Sequence, residues 1–347
     1  MSDLKGLATG IGSLPHKDPC GALDLIFTCL PELPFWPQLP KRTKKEGMVE
    51  QFSEGLPCLG VNEGGIFFDP RDKEKKLEEF YAKVIAGEKD AFAISQDFAA
   101  GLYAFCERLK GDPARLRQAK ALKGHVTGPF SFAAGINDDQ GVSLMHDPVL
   151  MQAISKGLAM KALWQVGLLR QFKDRVILFI DEPYLGSFGS AYTPVTRQDV
   201  TGTLGEFTRE IKSSGCLIGV HCCGNTDWSL FLEEESIDIV NFDAFGFTDK
   251  FLLYAESLQK FLERGGMVCW GIVPTQEQDT AISAGSLLER IKSAFSALEK
   301  KKVSRQLLCE NMLLSPSCGL GTLGVGEAEK IFSCLRELSS LARNTFK

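Results

Sequence analysis

The sequence predicts an α/β protein, a (β/α)8 TIM barrel that occupies residues 1–347 as a single domain. Short apolar segments alternate with helix-length amphipathic segments from residue 121 onward, a pattern typical of parallel strands joined by right-handed helical crossovers. Polar clusters follow the apolar segments directly, and TIM-barrel enzymes place their active sites at the carboxyl ends of the strands. A chain of 347 residues is also long enough to bury a large core without disulfides or a structural metal.

The N-terminal region supplies the first strand of the predicted barrel. Residues 6–12 are expected to form this strand and to deliver Ser13 and His16 to its end, although a turn at Ser13 and a helix cap at His16 fit the same residues. An insertion follows the strand and begins with a loop at residues 31–40, because four prolines in ten residues exclude a regular helix. The charged segment 42–51 fits a solvated face.

The remaining elements follow from the spacing of the apolar residues. Two helices are expected before the regular region, at 73–86 and 95–109. The predicted strands of the regular region cover 122–127, 176–180, 217–221, 237–242, 267–271 and 307–314. The predicted helices cover 147–172, 197–214, 225–233, 249–263, 282–298 and 326–342. With the first strand these make seven, so an eighth strand between residues 56 and 96 is needed to close the barrel.

Composition excludes several classes of partner. A net charge of −5 provides no basic face for nucleic acid. The eleven cysteines are scattered without the spacing of a disulfide framework, and the N-terminus lacks the pattern of a signal peptide, which predicts the reducing cytoplasm. The sequence contains no run of about 18 apolar residues, so no membrane span is expected.

A potential metal site begins in the segment LIGVHCCGNTD, residues 217–227. Side chains alternate faces along a strand, so His221 and Cys223 point to one side while Cys222 points to the other. Imidazole and thiolate are zinc ligands, and Cys318, in the turn SPSCG after a later strand, is the candidate third ligand of an open catalytic site. Free cysteines are common in protein cores, so packing is the alternative interpretation, and it fits Cys222 well.

A glycine motif beside Cys318 resembles a dinucleotide-binding fingerprint. The residues GLGTLG at 319–324 match G-x-G-x-x-G after a predicted strand and before a helix. The fingerprint also requires a complete βαβ unit with an acidic residue roughly 20 positions further on, whereas a closing helix fills the residues that follow here. We therefore predict a flexible turn and no dinucleotide site.

Six motifs in order give the chain a resemblance to a known family. They are TGIGSLP at 9–15, HVTGPF at 125–130, FIDEP at 179–183, GVHCCGN at 219–225, IVNFDAF at 239–245 and SPSCGL at 315–320. Through these motifs, which extend over nearly the whole chain, the sequence resembles the zinc-bearing C-terminal barrel of cobalamin-independent methionine synthase. The wider superfamily also contains uroporphyrinogen decarboxylase and the methylcobamide:coenzyme M methyltransferases.

The resemblance implies a set of metal ligands. The family's H-x-C pair falls on His221 and Cys223, and its late cysteine falls on Cys318, which implies Zn²⁺ as the cofactor. A glutamate ligand of the family is replaced by Asp243. Either this shorter side chain binds the metal, or water takes its position.

The resemblance also implies a site for an amino-acid substrate. The family's I-G-S motif falls on Ile11, Gly12 and Ser13, and Ser13 is expected to hold the substrate carboxylate. The aspartate of its D-E-P motif falls on Asp181, which is expected to hold the ammonium group. Arg42 stands where the family has a further glutamate, with Glu46 nearby as an alternative.

The implied activity is zinc-dependent transfer of a methyl group to a thiol, with homocysteine as the expected acceptor and methionine as the product. Coordination to zinc deprotonates a thiol and leaves its sulfur nucleophilic. The family's Lys-Thr-Arg after the late cysteine is absent at 321–323, and the predicted first strand stands where full-length relatives carry an additional, folate-holding barrel. We therefore expect methylcobalamin or a corrinoid protein as the methyl donor, with methyltetrahydrofolate as the second candidate.

Three alternatives stay open. Another thiol, such as coenzyme M, fits the same metal chemistry as the acceptor. A metal-free decarboxylase of the uroporphyrinogen type would use the same fold, but residues 6–20 contain no arginine to bind carboxylates. The third alternative is a corrinoid- or thiol-binding protein without turnover, which the departures from the family motifs favour.

Overall fold

The described part of the chain contains two β-sheets. The computed structural model describes residues 2–190, 193, 195–276 and 282–346. The smaller sheet is an antiparallel hairpin of β1 (Leu59–Asn62) and β2 (Gly65–Phe68). The larger sheet is parallel, curled and open, with its strands adjacent in chain order from β3 to β8. Its strands are β3 (Leu122–Thr127), β4 (Val176–Asp181), β5 (Leu217–Cys222), β6 (Ile239–Asp243), β7 (Met267–Val273) and β8 (Met312–Pro316).

Helices connect these strands and pack against the sheet. The α-helices of the described residues are α1 (Pro19–Cys29), α2 (Lys73–Ile85), α3 (Ala100–Gly111), α4 (Pro113–Gln118), α5 (Pro129–Ala134), α6 (Pro148–Arg170), α7 (Arg197–Lys212), α8 (Ser229–Leu232), α9 (Ala244–Phe251), α10 (Ala255–Glu263), α11 (Ala284–Lys300), α12 (Arg305–Glu310) and α13 (Val325–Thr345). Helices α6, α7, α11 and α13 lie against strands of the large sheet. Within the described residues, no helix combines the length and apolar character needed to cross a membrane.

The prediction of a closed eight-stranded TIM barrel is wrong. The parallel sheet of the described residues has six strands and remains open between β3 and β8. The predicted first strand, residues 6–12, makes only a single parallel bridge, between Ala8 and Leu314 of β8. The region 56–96, where an eighth strand was expected, contains the antiparallel β1–β2 hairpin and helix α2.

Local chemistry explains why neither edge of the sheet gains a full strand. The Pro-rich segment 31–40 lies beside β3, where Phe35 forms a single parallel bridge to Lys123. Proline has no amide hydrogen, so a segment with a proline at every third position cannot sustain a ladder of backbone hydrogen bonds. At the other edge, Gly6 has a φ of 68°, outside the extended region, which interrupts the segment before Ala8.

Buried apolar runs and capped helices account for most of the regular elements. Every residue of β3 and β7 is buried, as expected for parallel strands that are covered on both faces. The Asp147 side chain accepts hydrogen bonds from two backbone amides at the start of α6, and Thr196 and Asp199 form a capping box at the start of α7. These caps fix where the crossover helices begin.

The helix expected at 95–109 begins only at Ala100, as α3, and three further predicted elements differ from the structure. The helix expected at 225–233 is reduced to the four residues of α8, and the helix expected at 249–263 is divided between α9 and α10. The strand expected at 307–314 begins only at Met312. The Ser304 side chain caps the preceding segment, which folds as α12.

The two faces of the sheet pack into different clusters. In β4, Leu178 and Ile180 belong to the large core between the sheet and the helices, whereas Ile177 and Phe179 belong to a smaller cluster on the other face. This inner cluster consists of Leu4, Leu7, Leu33, Ala121, Ile177, Phe179, Ile239, Met267, Cys269 and Leu313. It fills the inner side of the curled sheet on which the side chain of His221 lies.

Candidate metal centre

Three potential metal ligands meet at the carboxyl ends of β5 and β8. His221 lies near the end of β5, Cys223 follows that strand directly, and Cys318 lies in the turn after β8. One ligand atom from each side chain lies within 4.8 Å of the others, so this His-Cys-Cys group can hold a metal ion. It joins residues almost a hundred positions apart in the sequence, at the place where the alternation along β5 predicts convergence.

The neighbouring cysteine has a different environment. Cys222 is completely buried and belongs to the large core, with its sulfur 3.7 Å from the backbone oxygen of Gly224. Burial raises the pKa of the Cys222 thiol to about 12, so it stays protonated at neutral pH. The packing interpretation therefore describes Cys222 and not its neighbours on the other face.

The two cysteines of the group influence each other strongly. Interaction with the Cys223 thiol lowers the pKa of Cys318, and His221 acts in the same direction against the opposing effect of burial. The same interaction, together with burial, raises the pKa of Cys223. The interaction of the two thiols with each other and with His221 therefore favours a negative charge shared by the cysteine pair, and a thiolate is the form of cysteine that binds metals.

The ring of His221 is oriented by a residue that the sequence analysis missed. Its Nδ1 lies 2.5 Å from the Oδ1 atom of Asn241, the residue that pairs with it on β6. The other ring nitrogen, Nε2, is buried without a hydrogen-bond partner in the described part of the chain. Burial lowers the pKa of His221, but nearby Cys318, Asp181 and Asn241 outweigh this effect and raise it overall.

Asp181 lies beside this group, at the end of β4 and in register with His221. Its Oδ1 atom is buried and has no hydrogen-bond partner among the described residues. Burial raises the pKa of Asp181 to about 6, despite the opposing effects of His221 and Lys123. The carboxylate is thus mostly ionised at neutral pH and has an unused acceptor.

The segment 11–13 borders the turn that carries Cys318. The backbone amide of Gly321 donates to Ser13 Oγ at 3.2 Å, and that of Leu320 donates to the Ser13 carbonyl at 2.9 Å. The buried ammonium group of Lys123 donates to the carbonyl of Ile11. A Cβ at position 319 would lie 2.3 Å from Ser13 Oγ, so Gly319 permits this close approach.

The glycines of the 319–324 motif serve this turn. Gly319 and Gly321 lie against Ser13, and Gly324 caps the start of α13. Helix α13 follows at once, which agrees with the prediction of a turn and not of a dinucleotide site.

Asp243 lies outside the group of three close ligand atoms. Its carboxylate accepts a hydrogen bond of 2.8 Å from the amide of Gly246 and caps α9. Arg42 and Glu46, the other pair of substituted positions, contact each other at 3.4 Å, and Glu46 Oε1 also accepts from the amide of Ala100. Helix capping thus accounts for Asp243, whereas the Oε2 atom of Glu46 is buried without a hydrogen-bond partner among the described residues.

A second buried histidine lies on β3. His125 stacks on Trp36 with 3.9 Å between the ring centroids, and Phe52 meets it edge-on. Neither ring nitrogen has a partner among the described residues. Burial, with a smaller contribution from nearby Lys123, lowers the pKa of His125 well below its usual value, so the ring is neutral.

A large cleft lies elsewhere, between α6 and α7. It has a volume of about 630 Å³ and is lined by residues that include Phe130, Met151, Glu206 and Phe207. None of the three potential metal ligands lines it. The potential metal ligands and this cleft therefore occupy different places in the fold.

No protein-family model matches the chain, and no curated protein matches it either. The function therefore has to be inferred from the chemistry of the site.

Proposed function

We propose that this protein is a zinc-dependent methyltransferase that transfers a methyl group to a thiol, with homocysteine as the acceptor. The observation that carries the proposal is the convergence of His221, Cys223 and Cys318 at the ends of two strands. The resemblance of six motifs to the zinc-bearing part of cobalamin-independent methionine synthase supports the same assignment.

The residues present fit a zinc ion. Tetrahedral sites made of imidazole and thiolate favour zinc, and three protein ligands leave one position for water or substrate. The buried Nε2 of His221 has no partner among the described residues, and its lone pair is free to bind the ion when Nδ1 carries the proton. When bound, zinc lowers the pKa of a coordinated thiol, so that a thiolate is available at neutral pH.

Two neighbouring groups suit an amino-acid thiol. The partly unpaired carboxylate of Asp181 can accept hydrogen bonds from an ammonium group. Ser13 Oγ accepts from the Gly321 amide, which leaves the hydroxyl hydrogen to donate to a carboxylate. Both charged groups on the α-carbon of an amino-acid acceptor would thus have a partner, which favours homocysteine over coenzyme M, because coenzyme M has no amino group.

We propose a methylated corrinoid as the donor and methyltetrahydrofolate as the second candidate. In the transfer, the acceptor sulfur forms a bond to the methyl carbon while the bond between that carbon and cobalt breaks. The electron pair of the broken bond stays on cobalt, and the thiol proton passes to solvent. The protein residues contribute by orienting the acceptor, which converts an encounter in solution into reaction within one complex.

The proposal is tested by measuring methyl transfer to homocysteine from methylcobalamin and from methyltetrahydrofolate in parallel. The purified chain should contain about one zinc ion, lose activity with a chelator and regain it when zinc is restored. Cys222→Ala serves as the matched control for Cys223→Ser, because Cys222 belongs to the core. Transfer that persists undiminished with chelator would exclude a zinc-dependent reaction.

A further inference from the structure

The side chain of Asn241 hydrogen-bonds to His221 and to Ser315, which lies three residues before Cys318. Its Nδ2 atom donates to Ser315 Oγ and to the carbonyl of Cys269, each at 2.8 Å. Both amide hydrogens are used in this way, so the Oδ1 atom must face His221. The orientation of this buried amide is therefore determined by its neighbours on β7 and β8.

The amide orientation also decides the protonation of the His221 ring. A carbonyl oxygen only accepts hydrogen bonds, so Nδ1 of His221 must carry the proton that Asn241 Oδ1 accepts. In the neutral ring the lone pair then lies on Nε2, the nitrogen that has no hydrogen-bond partner among the described residues. Asn241 thus presents the imidazole in the tautomer that a metal ion requires.

The same side chain reaches the segment that carries Cys318. Ser315 accepts the hydrogen bond from Asn241, donates its own hydroxyl hydrogen to the Pro316 carbonyl at 2.9 Å, and precedes Cys318 by three residues. The turn is held further along by the amide of Ser317, which donates to the carbonyl of Val273. One amide on β6 therefore links the imidazole on β5 to the start of the cysteine turn on β8.

We infer that Asn241 is a positioning residue that fixes the tautomer of His221 and its separation from Cys318 before a metal ion binds. The inference rests on the proposed zinc site. Residues that bond to a metal-ligating histidine typically change metal affinity by about 10- to 100-fold when they are replaced. Asn241 is expected to act in this range, although it touches neither the metal position nor the substrate.

The test compares zinc dissociation constants measured by competition with a chromophoric chelator. Asn241→Leu should weaken zinc binding by about 10- to 100-fold. Asn241→Asp keeps an acceptor for Nδ1–H but cannot donate to the carbonyl of Cys269, so it should recover only part of this loss. Gln165→Leu is the matched control, because Gln165 is a fully buried amide whose hydrogen bonds reach only Trp36 and the backbone of His125. Its zinc affinity should equal that of the unaltered chain.

A second measurement separates positioning from a general loss of structure. Without metal, and at a pH above the raised pKa of His221, the ¹⁵N chemical shifts of its neutral ring should report a proton on Nδ1 in the unaltered chain and a mixture of tautomers in Asn241→Leu. If Asn241→Leu fails to fold, Ser315→Ala replaces it. That variant removes one neutral hydrogen bond, and about 2- to 10-fold weaker zinc binding is expected.

The possible failures are distinguishable. If the unaltered chain binds no zinc, the proposed function is wrong and this inference falls with it. If the unaltered chain binds zinc and the Asn241 or Ser315 variant binds it equally well, the positioning role alone is overturned. Equal weakening in Asn241→Leu and Gln165→Leu would likewise overturn it, because the effect would then be one of general stability.

Discussion

Two histidines occupy comparable places on strands of the same sheet but face different surroundings. His125 on β3 and His221 on β5 are both buried. In the described part of the chain, both ring nitrogens of His125 and the Nε2 atom of His221 have no hydrogen-bond partner. His125 is enclosed by the rings of Trp36 and Phe52, whereas His221 faces two cysteines. An unpaired imidazole nitrogen is therefore not sufficient for a metal site, which also needs other ligands that converge on it.

The supporting amides differ in the same way. Gln165 forms hydrogen bonds with the backbone amide and carbonyl of His125 on β3, and it makes no hydrogen bond to the His125 ring. Asn241 bonds to the ring of His221 itself. A hydrogen bond to the ring selects one tautomer and one orientation, which a ligand requires and a packed side chain does not.

The largest expected effect separates the two histidines by zinc content. His221→Ala and Cys318→Ser should each weaken zinc binding by more than the roughly 10- to 100-fold that loss of a supporting residue costs, because each removes a ligand. His125→Phe, which keeps a ring against Trp36, should leave the zinc content unchanged. The measurement is metal analysis of the purified variants. Equal zinc content in all three would show that the His-Cys-Cys group is not the site.

The next largest effect is on stability and concerns the β3 side. Gln165→Leu removes the acceptor of the Trp36 indole N–H at 2.7 Å and of the His125 amide at 3.1 Å. Each donor that is left buried and unpaired costs about 1–3 kcal/mol, so loss of the acceptor for both should lower the free energy of unfolding by about 2–6 kcal/mol. Denaturant unfolding measures this loss. A change below about 1 kcal/mol would mean that water replaces the amide.

The parts of the structure that the sequence predicted are those with strong local signals. The strands of the regular region from β3 to β7 are confirmed within one or two residues, because continuous apolar runs mark strands that are buried on both faces. The convergence of His221 and Cys318 follows from strand alternation and from the shared edge of parallel strand ends. The strand assignments need no knowledge of how distant segments pack, whereas the convergence also requires the sheet to curl, because β6 and β7 lie between β5 and β8.

The missed features depend on pairing between segments. The sequence shows the prolines of 31–40. It does not show that this segment lies beside β3, where the prolines prevent it from adding a strand that would help to close the sheet. Leu307 and Leu308 belong to α12, but together with the apolar residues of β8 they form a run that is typical of a strand at 307–314. Asn241 was visible as a polar residue in the apolar run IVNF, but its partner depends on the register between β5 and β6.

A smaller effect is expected from the carboxylate beside His221. Asp181→Asn keeps the size of the side chain and removes its charge. If the carboxylate binds the ammonium group of the acceptor, the binding free energy of the acceptor should weaken by about 1.5–3 kcal/mol. The KM for homocysteine should therefore rise by roughly 10- to 100-fold, whereas zinc content should stay the same. Steady-state kinetics and metal analysis together test this. A lower zinc content would make Asp181 part of the metal site instead.

The smallest effect is a change in pH dependence that belongs to His125 and not to the metal site. The pKa of His125 is lowered well below its unfolded value of about 6.5, so below that pH the unfolded chain binds a proton that the folded chain does not. The stabilisation from the neutral ring is thus complete above pH 6.5 and is lost progressively as the pH falls below it. His125→Phe removes this group, so the slope of unfolding free energy against pH between 5 and 6.5 should fall by up to about 1.4 kcal/mol per pH unit.

The comparison in that experiment is between slopes, because the substitution also alters packing against Gly12 and Trp36 and so shifts the stability at every pH. Other titrating groups contribute equally to both proteins and cancel in the difference. Urea unfolding at four or five pH values provides the slopes. An unchanged slope would mean that His125 is protonated in the folded chain. Burial would then not lower its pKa, and the electrostatic difference between the two histidines would be smaller than proposed.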